Sequence, residues 1–192
     1  MNAKSQGTVR IIGGRLRAKK IAYSGDQRTR PMKDRVREAL FNLIGPQVKG
    51  KFALDFFAGT GAIAFEAISR GATGGLLFEC HLPTVKIIHQ NCESLALNEK
   101  VETILGDVFY WAFQTELPAN DPWIAFLAPP YSFFHQRINE VQTLVHLFDE
   151  KAPKGSLLVV ESDIDFDLAN WLPKIDEPRI YPPAKVGILH KS

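Results

Sequence analysis

Five short apolar segments, each followed within a few residues by a turn or a helix-patterned stretch, constrain this chain more than anything else in it. They are FALDFF (52–57), LLFE (76–79), VETIL (101–105), WIAFL (123–127) and SLLVVE (156–161). Helical patterns follow at 62–70, from 83 to about 97 and from about 135 to 150, with a short aromatic segment at 108–117. Strands that alternate with helices predict an α/β fold, an open and mainly parallel sheet covered by helices on both faces. A short helix near 167–172 and two late strands near 179–181 and 186–190 close the pattern. In such sheets ligands bind beyond the carboxyl ends of the strands, where the strand order reverses. The residues just after each strand therefore carry the functional information.

The first fifty residues have a different texture. They hold 12 Lys/Arg against 3 Asp/Glu, while residues 51–192 hold 11 against 18. This divides the chain into a basic extension, 1–50, and an α/β domain, 51–192. Segments 8–12 and 16–23 predict a β-hairpin turning at Gly13-Gly14. Pro31 suits the first turn of a helix whose apolar face is Val36, Ala39, Leu40, Leu43 and Ile44. A basic arm on an acidic body points to a polyanion at one end; a solvated basic face is the alternative. Basic and apolar residues roughly alternate in VRIIGGRLRAKKI, which aligns arginines on one face of a strand and favours nucleic acid.

Other classes are excluded. Two cysteines, Cys80 and Cys92, make no disulfide framework, and no His/Cys metal spacing is present. No apolar run approaches the ~20 residues of a membrane span, and MNAKSQGTVR lacks the apolar stretch of a signal peptide. The expectation is a cytoplasmic protein without metal or membrane partner, and nothing in the chain demands more than a monomer. Cys80 reads as a small buried filler.

The first strand ends in Asp55-Phe56-Phe57-Ala58-Gly59-Thr60-Gly61. The glycines permit a sharp turn and close approach of a ligand, and Gly59-x-Gly61-x-x-Ala64 also fits a dinucleotide fingerprint. Asp55 shifts the reading, because a buried carboxylate needs a partner. It attracts a cationic or amino-bearing ligand such as S-adenosylmethionine and repels a pyrophosphate. An Asp that merely caps the turn is the alternative. Glu79 ends the second strand, where an acid accepts hydrogen bonds from ribose hydroxyls. Asp107, followed by Val108, stands after the third strand, placed either for an adenine amino group or as a helix N-cap.

The fourth strand runs into Ala128-Pro129-Pro130-Tyr131. With AGTG, Glu79 and Gly106-Asp107, this resembles a class I S-adenosylmethionine methyltransferase acting on an amino nitrogen, with a Rossmann-like sheet. RIIGGRLRAKKI, Arg30-Pro31-Met32, DRVREALFNLI (34–44) and AGTGAIAFEAISRGA (58–72) resemble the RsmD family. The resemblance covers most of 9–131. It implies N2 methylation of a guanine in 16S rRNA, with naked RNA or the assembled small subunit as substrate. It implies cofactor contacts from Asp55, Phe57, Ala58, Gly59, Thr60, Gly61, Glu79, Asp107 and Val108, and a catalytic segment Ala128, Pro129, Pro130 and Tyr131. In the family pattern an Asp or Asn precedes Pro-Pro-Tyr and, with the first proline's carbonyl, accepts the hydrogens of the amine. The tyrosine stacks on a base swung out of its helix; a core aromatic is the alternative.

Ala128 departs from that pattern, since alanine can neither orient nor accept. The loss of one acceptor costs on the order of 1–3 kcal/mol, about ten- to a hundredfold in rate. Four readings follow: a guanine-N2 methyltransferase, a non-catalytic RNA- and cofactor-binding relative, an NAD-dependent oxidoreductase and a DNA amino-methyltransferase. RNA contacts are expected at Arg10, Arg15, Arg17, Lys19, Lys20, Arg30, Arg35 and Arg37. Arg35 or Arg37 has an alternative partner in Asp34 or Glu38.

Overall fold

A computed structural model describes residues 7–25 and 31–192. Nine strands and seven helices are found there. Strands β1 (Gly7–Arg10) and β2 (Lys20–Tyr23) form the antiparallel hairpin. Helix α1 (Asp34–Ile44) follows and runs into a 3-10 turn at Gly45–Val48. Then come β3 (Phe52–Asp55), α2 (Ala62–Ser69), β4 (Gly75–Glu79) and α3 (Leu82–Leu95). They are followed by β5 (Val101–Leu105), α4 (Val108–Gln114) and β6 (Trp123–Leu127). Helices α5 (Phe133–Gln136) and α6 (Ile138–Lys151), β7 (Leu157–Asp163), α7 (Leu168–Trp171), β8 (Arg179–Tyr181) and β9 (Ala184–His190) complete the fold.

The seven-stranded sheet has the order β5-β4-β3-β6-β7-β9-β8, parallel except for β9, which runs against both neighbours. The chain leaves β3 for β4 on one side and later returns to β3's other side with β6. The order thus reverses between β3 and β6, and the crevice lies beyond Asp55 and Leu127.

The period of two along each strand sorts the core into two layers. Ala53, Leu77, Ile124, Phe126, Leu157 and Val159 face the layer of α1, α2, α3 and the hairpin. Leu54, Leu76, Ala125, Leu127, Leu158 and Val160 face α4, α6 and α7. The basic extension is therefore packed into one face of the domain, through Val9, Ile11, Leu16, Ile21, Leu40, Phe41 and Ile44.

Two features differ from the sequence expectation. The hairpin's paired strands are shorter than 8–12 and 16–23, because residues 11–19 form a loop that docks on the end of α2. Leu16 N–H donates to Ser69 Oγ (2.9 Å), Arg15 N–H donates to the Ser69 carbonyl (2.8 Å), and Ser69 Oγ donates to the Gly13 carbonyl. Gly14, at φ +76°, comes so close that a Cβ would stand 1.9 Å from the Ser69 carbonyl oxygen. The helix expected over 135–150 is broken at Arg137 into α5 and α6.

Candidate active site

Asp55, Glu79 and Glu161 lie two residues beyond Ala53, Leu77 and Val159, so alternation places all three on the hairpin face of the sheet, towards its carboxyl edge, and Ala128 follows directly on the end of β6. The basic extension packs on this same sheet face, with its loop 11–19 at the C-terminal end of α2 and the acidic strand ends at the N-terminal end of that helix.

Asp55 is 1% exposed. Its Oδ1 accepts a long hydrogen bond from Phe57 N–H (3.3 Å), and its Oδ2 is buried with no hydrogen-bond partner. Burial pushes the Asp55 carboxyl up to about 7; the Phe57 N–H opposes this and the Glu79 charge adds to it. An orphaned buried carboxylate oxygen of this kind demands a donor or a positive charge from outside the chain. An amino group on a ligand without phosphate supplies both.

The turn that follows is held by both neighbouring strands. Phe56 N–H donates to the Phe126 carbonyl (3.1 Å) and Ala58 N–H to the Phe78 carbonyl (2.9 Å). Gly59 and Gly61 both have positive φ, +52° and +74°, and a Cβ on Gly61 would meet the Phe65 ring at 2.8 Å. Thr60 turns its hydroxyl inward, where it accepts from Ala62 N–H (3.3 Å).

Glu79 bridges this turn to the next one. Its Oε2 accepts from Gly59 N–H (2.9 Å) and its Oε1 from His81 N–H (2.8 Å). Each oxygen keeps a second lone pair for a hydroxyl. Asp107 is the N-cap of α4, accepting from Phe109 N–H (3.0 Å), and its other oxygen lies 3.6 Å from the Arg137 guanidinium. Val108 is buried behind it. The capping alternative weighed for Asp107 is thus realised in its geometry.

Phe57, Phe109 and Phe133 form an aromatic triad at the crevice, with ring centroids 5.7–6.1 Å apart. Arg137 lies over it, 4.4 Å from the Phe109 centroid and 4.8 Å from that of Phe133, and pairs with Glu140 through two 2.7 Å bonds. No periodicity or motif marks this cluster in the sequence.

On the β6 side, Ala128 is half-buried, Pro129 buried and Pro130 exposed. The Pro130 carbonyl starts α5 by accepting from Phe133 N–H (2.8 Å). The Tyr131 hydroxyl donates to Glu161 Oε1 (2.7 Å). Burial raises the Glu161 carboxyl, against the lowering effect of the Tyr131 hydrogen bond. Glu161 ends the apolar run SLLVVE, so the rule that singled out Asp55 and Glu79 applied to it as well, although β7 continues to Asp163.

In the extension, Arg10, Arg15, Arg17, Lys19, Lys20 and Arg35 are exposed. Arg30 lies outside the described residues. Arg37 is a correction: it is fully buried, which removes it from any RNA surface. Its guanidinium donates to the carbonyls of Met32 (3.1 Å) and Arg10 (2.6 Å) and to Asp34 Oδ1 (3.0 Å), the alternative partner named from the sequence. Exposed Lys33 joins Arg10 and Lys20 around a cleft beneath the hairpin. Cys80, expected to be buried, is exposed, and Cys92 is the buried thiol. Among the described residues no group of three or more His, Cys, Asp or Glu side chains is placed to hold a metal ion, and no helix is long and apolar enough to cross a membrane.

Residues 9–179 match the family described as Conserved hypothetical protein 95. Ribosomal RNA small subunit methyltransferase D of Escherichia coli K12 is 34% identical over 177 residues, 88% of this chain and 84% of that protein. The enzyme of the same name from Haemophilus influenzae is 33% identical, covering 88% of this chain and 87% of its own. The solved structure named putative methyltransferase yhhF, from Escherichia coli, superposes with a TM-score of 0.77 at 25% identity, covering 95% of this chain and 97% of that one. An RNA methyltransferase from Salinibacter ruber, solved with S-adenosyl-L-homocysteine, shares the fold at a TM-score of 0.62 and 20% identity, covering 83% of this chain and 92% of that one. The chain belongs to the family these matches define, the RsmD family of S-adenosylmethionine-dependent methyltransferases.

Proposed function

We propose that this protein methylates the exocyclic N2 amine of a guanine in small-subunit (16S) rRNA, as a cytoplasmic monomer. The observation that carries the reading is the orphaned Asp55 Oδ2, set one strand from Pro-Pro-Tyr on the sheet face that also bears the basic arm. S-adenosylmethionine, when bound, supplies an electrophilic methyl group on a sulfonium.

Asp55 pairs with the amino group of that ligand, and Glu79 accepts from its ribose hydroxyls through lone pairs its backbone partners leave free. Asp107 and Val108 flank the adenine, while Phe57, Ala58, Gly59, Thr60 and Gly61 form the floor. A guanine amine is a weak nucleophile, its lone pair being drawn into the ring, so in-line placement supplies much of the rate. The Pro129 carbonyl accepts one hydrogen of that amine, the rigid Pro129-Pro130 pair fixes the carbonyl, and the Tyr131 ring stacks on the flipped base. Arg10, Arg15, Arg17, Lys19, Lys20 and Arg35 hold phosphates.

Ala128 favours the second reading, a relative that binds RNA and cofactor without transferring methyl groups; the enzyme names of the relatives weigh against it. Transfer of labelled methyl to undermethylated small subunits, and in parallel to naked 16S rRNA, tests both. Label recovered at guanine N2 supports the enzyme. Cofactor binding without transfer to either substrate supports the second reading.

A further inference from the structure

The departure at Ala128 leaves a gap where the family pattern has an acceptor, and the neighbouring strand holds a carboxylate beside it. Strands β6 and β7 pair in parallel up to Leu127 opposite Val160, and Ala128 and Glu161 are the residues that follow on the two chains. Adjacent strands run about 4.8 Å apart, and alternation puts Glu161 on the hairpin face with Val159. Alanine ends at its Cβ, whereas a glutamate carries its carboxylate two carbons further out. The 2.7 Å bond from the Tyr131 hydroxyl to Glu161 Oε1 ties the carboxylate to the Pro-Pro-Tyr segment that Ala128 precedes. That bond fixes one carboxylate oxygen and leaves Oε2 for another donor.

We propose that Glu161 is the hydrogen-bond acceptor for the target amine in this chain, replacing from β7 the side chain that Ala128 lacks on β6. This rests on the amine-methylating function proposed above. Glu161 Oε2 and the Pro129 carbonyl take the two N–H bonds and turn the nitrogen lone pair toward the methyl carbon. As the N–C bond forms, the C–S bond breaks with its electron pair going to sulfur. The nitrogen's surplus proton passes to Glu161 and from there to water. Tyr131 then has two tasks, a ring for the base and a hydroxyl that orients the carboxylate.

Other charges around Glu161 are committed elsewhere or exposed. Asp163 pairs with His135 of α5 (3.2 Å), and Lys185 on β9 donates to the Phe166 carbonyl (2.8 Å). Arg179 on β8 is exposed.

The test compares kcat at saturating cofactor for wild type, Glu161→Ala, Glu161→Gln and the double variant Glu161→Ala/Ala128→Asn, with cofactor affinity measured by titration for each. Glu161→Ala is expected to lower kcat ten- to a hundredfold with cofactor affinity unchanged, and the added Asn to restore most of the loss. Glu161→Gln, which keeps an oxygen but no charge, is expected to lose the acid limb of the wild-type kcat profile. Full activity in Glu161→Ala, or no recovery in the double variant, overturns the proposal. If Glu161→Ala fails to bind cofactor, an acid limb retained in Glu161→Gln overturns it. A wild type that binds cofactor but modifies no rRNA, while Ala128→Asn does, overturns this inference alone. If neither modifies rRNA, the proposed function falls and this inference with it.

Discussion

Arg37 and Glu66, both withdrawn completely from solvent, face each other with Nε 3.7 Å from Oε2. Glu66 accepts three hydrogen bonds, from Ile12 N–H (2.7 Å), Gly13 N–H (2.8 Å) and Arg70 Nε (2.7 Å). Arg37 donates to the carbonyls of Arg10 and Met32. The pair therefore joins the hairpin, the start of α1 and the middle of α2. Breaking a buried pair by removing one partner leaves an uncompensated charge and costs about 3–5 kcal/mol. Arg37→Ala is expected to lose that much in urea unfolding. An RNA-contact role, by contrast, predicts weaker RNA binding with stability intact.

Asp55 sets a pH dependence whose sign is fixed by its environment. Its folded-state value of about 7 lies above the ordinary 3.8, so the folded protein binds more protons than the unfolded one between those values. Stability from this group falls as pH rises through that window. Pairing with a ligand amino group favours the charged carboxylate, so cofactor affinity moves the other way. Affinity measured by calorimetry is expected to be several-fold weaker at pH 6 than at pH 7.5. In Asp55→Asn it is expected to be weak at both.

The hairpin loop presents Arg15 and Arg17 to solvent. Every phosphate that a side chain no longer neutralises reduces the slope of log K against log salt by about 0.7–0.9. Arg15→Ala and Arg17→Ala together are expected to flatten the slope for rRNA binding by about 1.5. A slope identical to wild type would remove the loop from the interface.

Arg137 covers Phe109 and Phe133 while reaching toward Asp107. A cation over a ring at a partly exposed site is worth about 0.5–1 kcal/mol. Arg137→Ala is expected to cost about 1 kcal/mol of stability by urea titration, and to loosen the junction between α4 and α5 in hydrogen exchange. Unchanged protection of α4 would contradict that role.

The alternation of strands and helices was legible because each strand is a short apolar run and each helix keeps its period. Asp55, Glu79 and Asp107 were found by their place after strands, and Pro-Pro-Tyr by its motif. What escaped depends on distant partners. Arg37 has the same charge as its exposed neighbour Arg35, but it lies on the buried face of α1 with Leu40, Phe41 and Ile44, where the Arg10 carbonyl and Glu66, 29 residues on, meet its guanidinium. Phe57, Phe109 and Phe133 come from three segments with no common spacing. Glu161 was visible as a strand end, but its proximity to Ala128 follows from the order of β6 and β7, which no local pattern encodes.

The hairpin loop is bolted to the C-terminal end of α2 through Ser69, while the N-terminal end of the same helix begins at the glycine turn beside Asp55. Eight residues of helix span about 12 Å and do not stretch. In the proposed function the helix sets a fixed distance between the arginines of the loop and the crevice. With phosphates held at Arg15 and Arg17 as proposed, that fixed length would help set which nucleotide arrives at the crevice. Lengthening α2 by one turn would shift that choice along the RNA rather than simply weaken it.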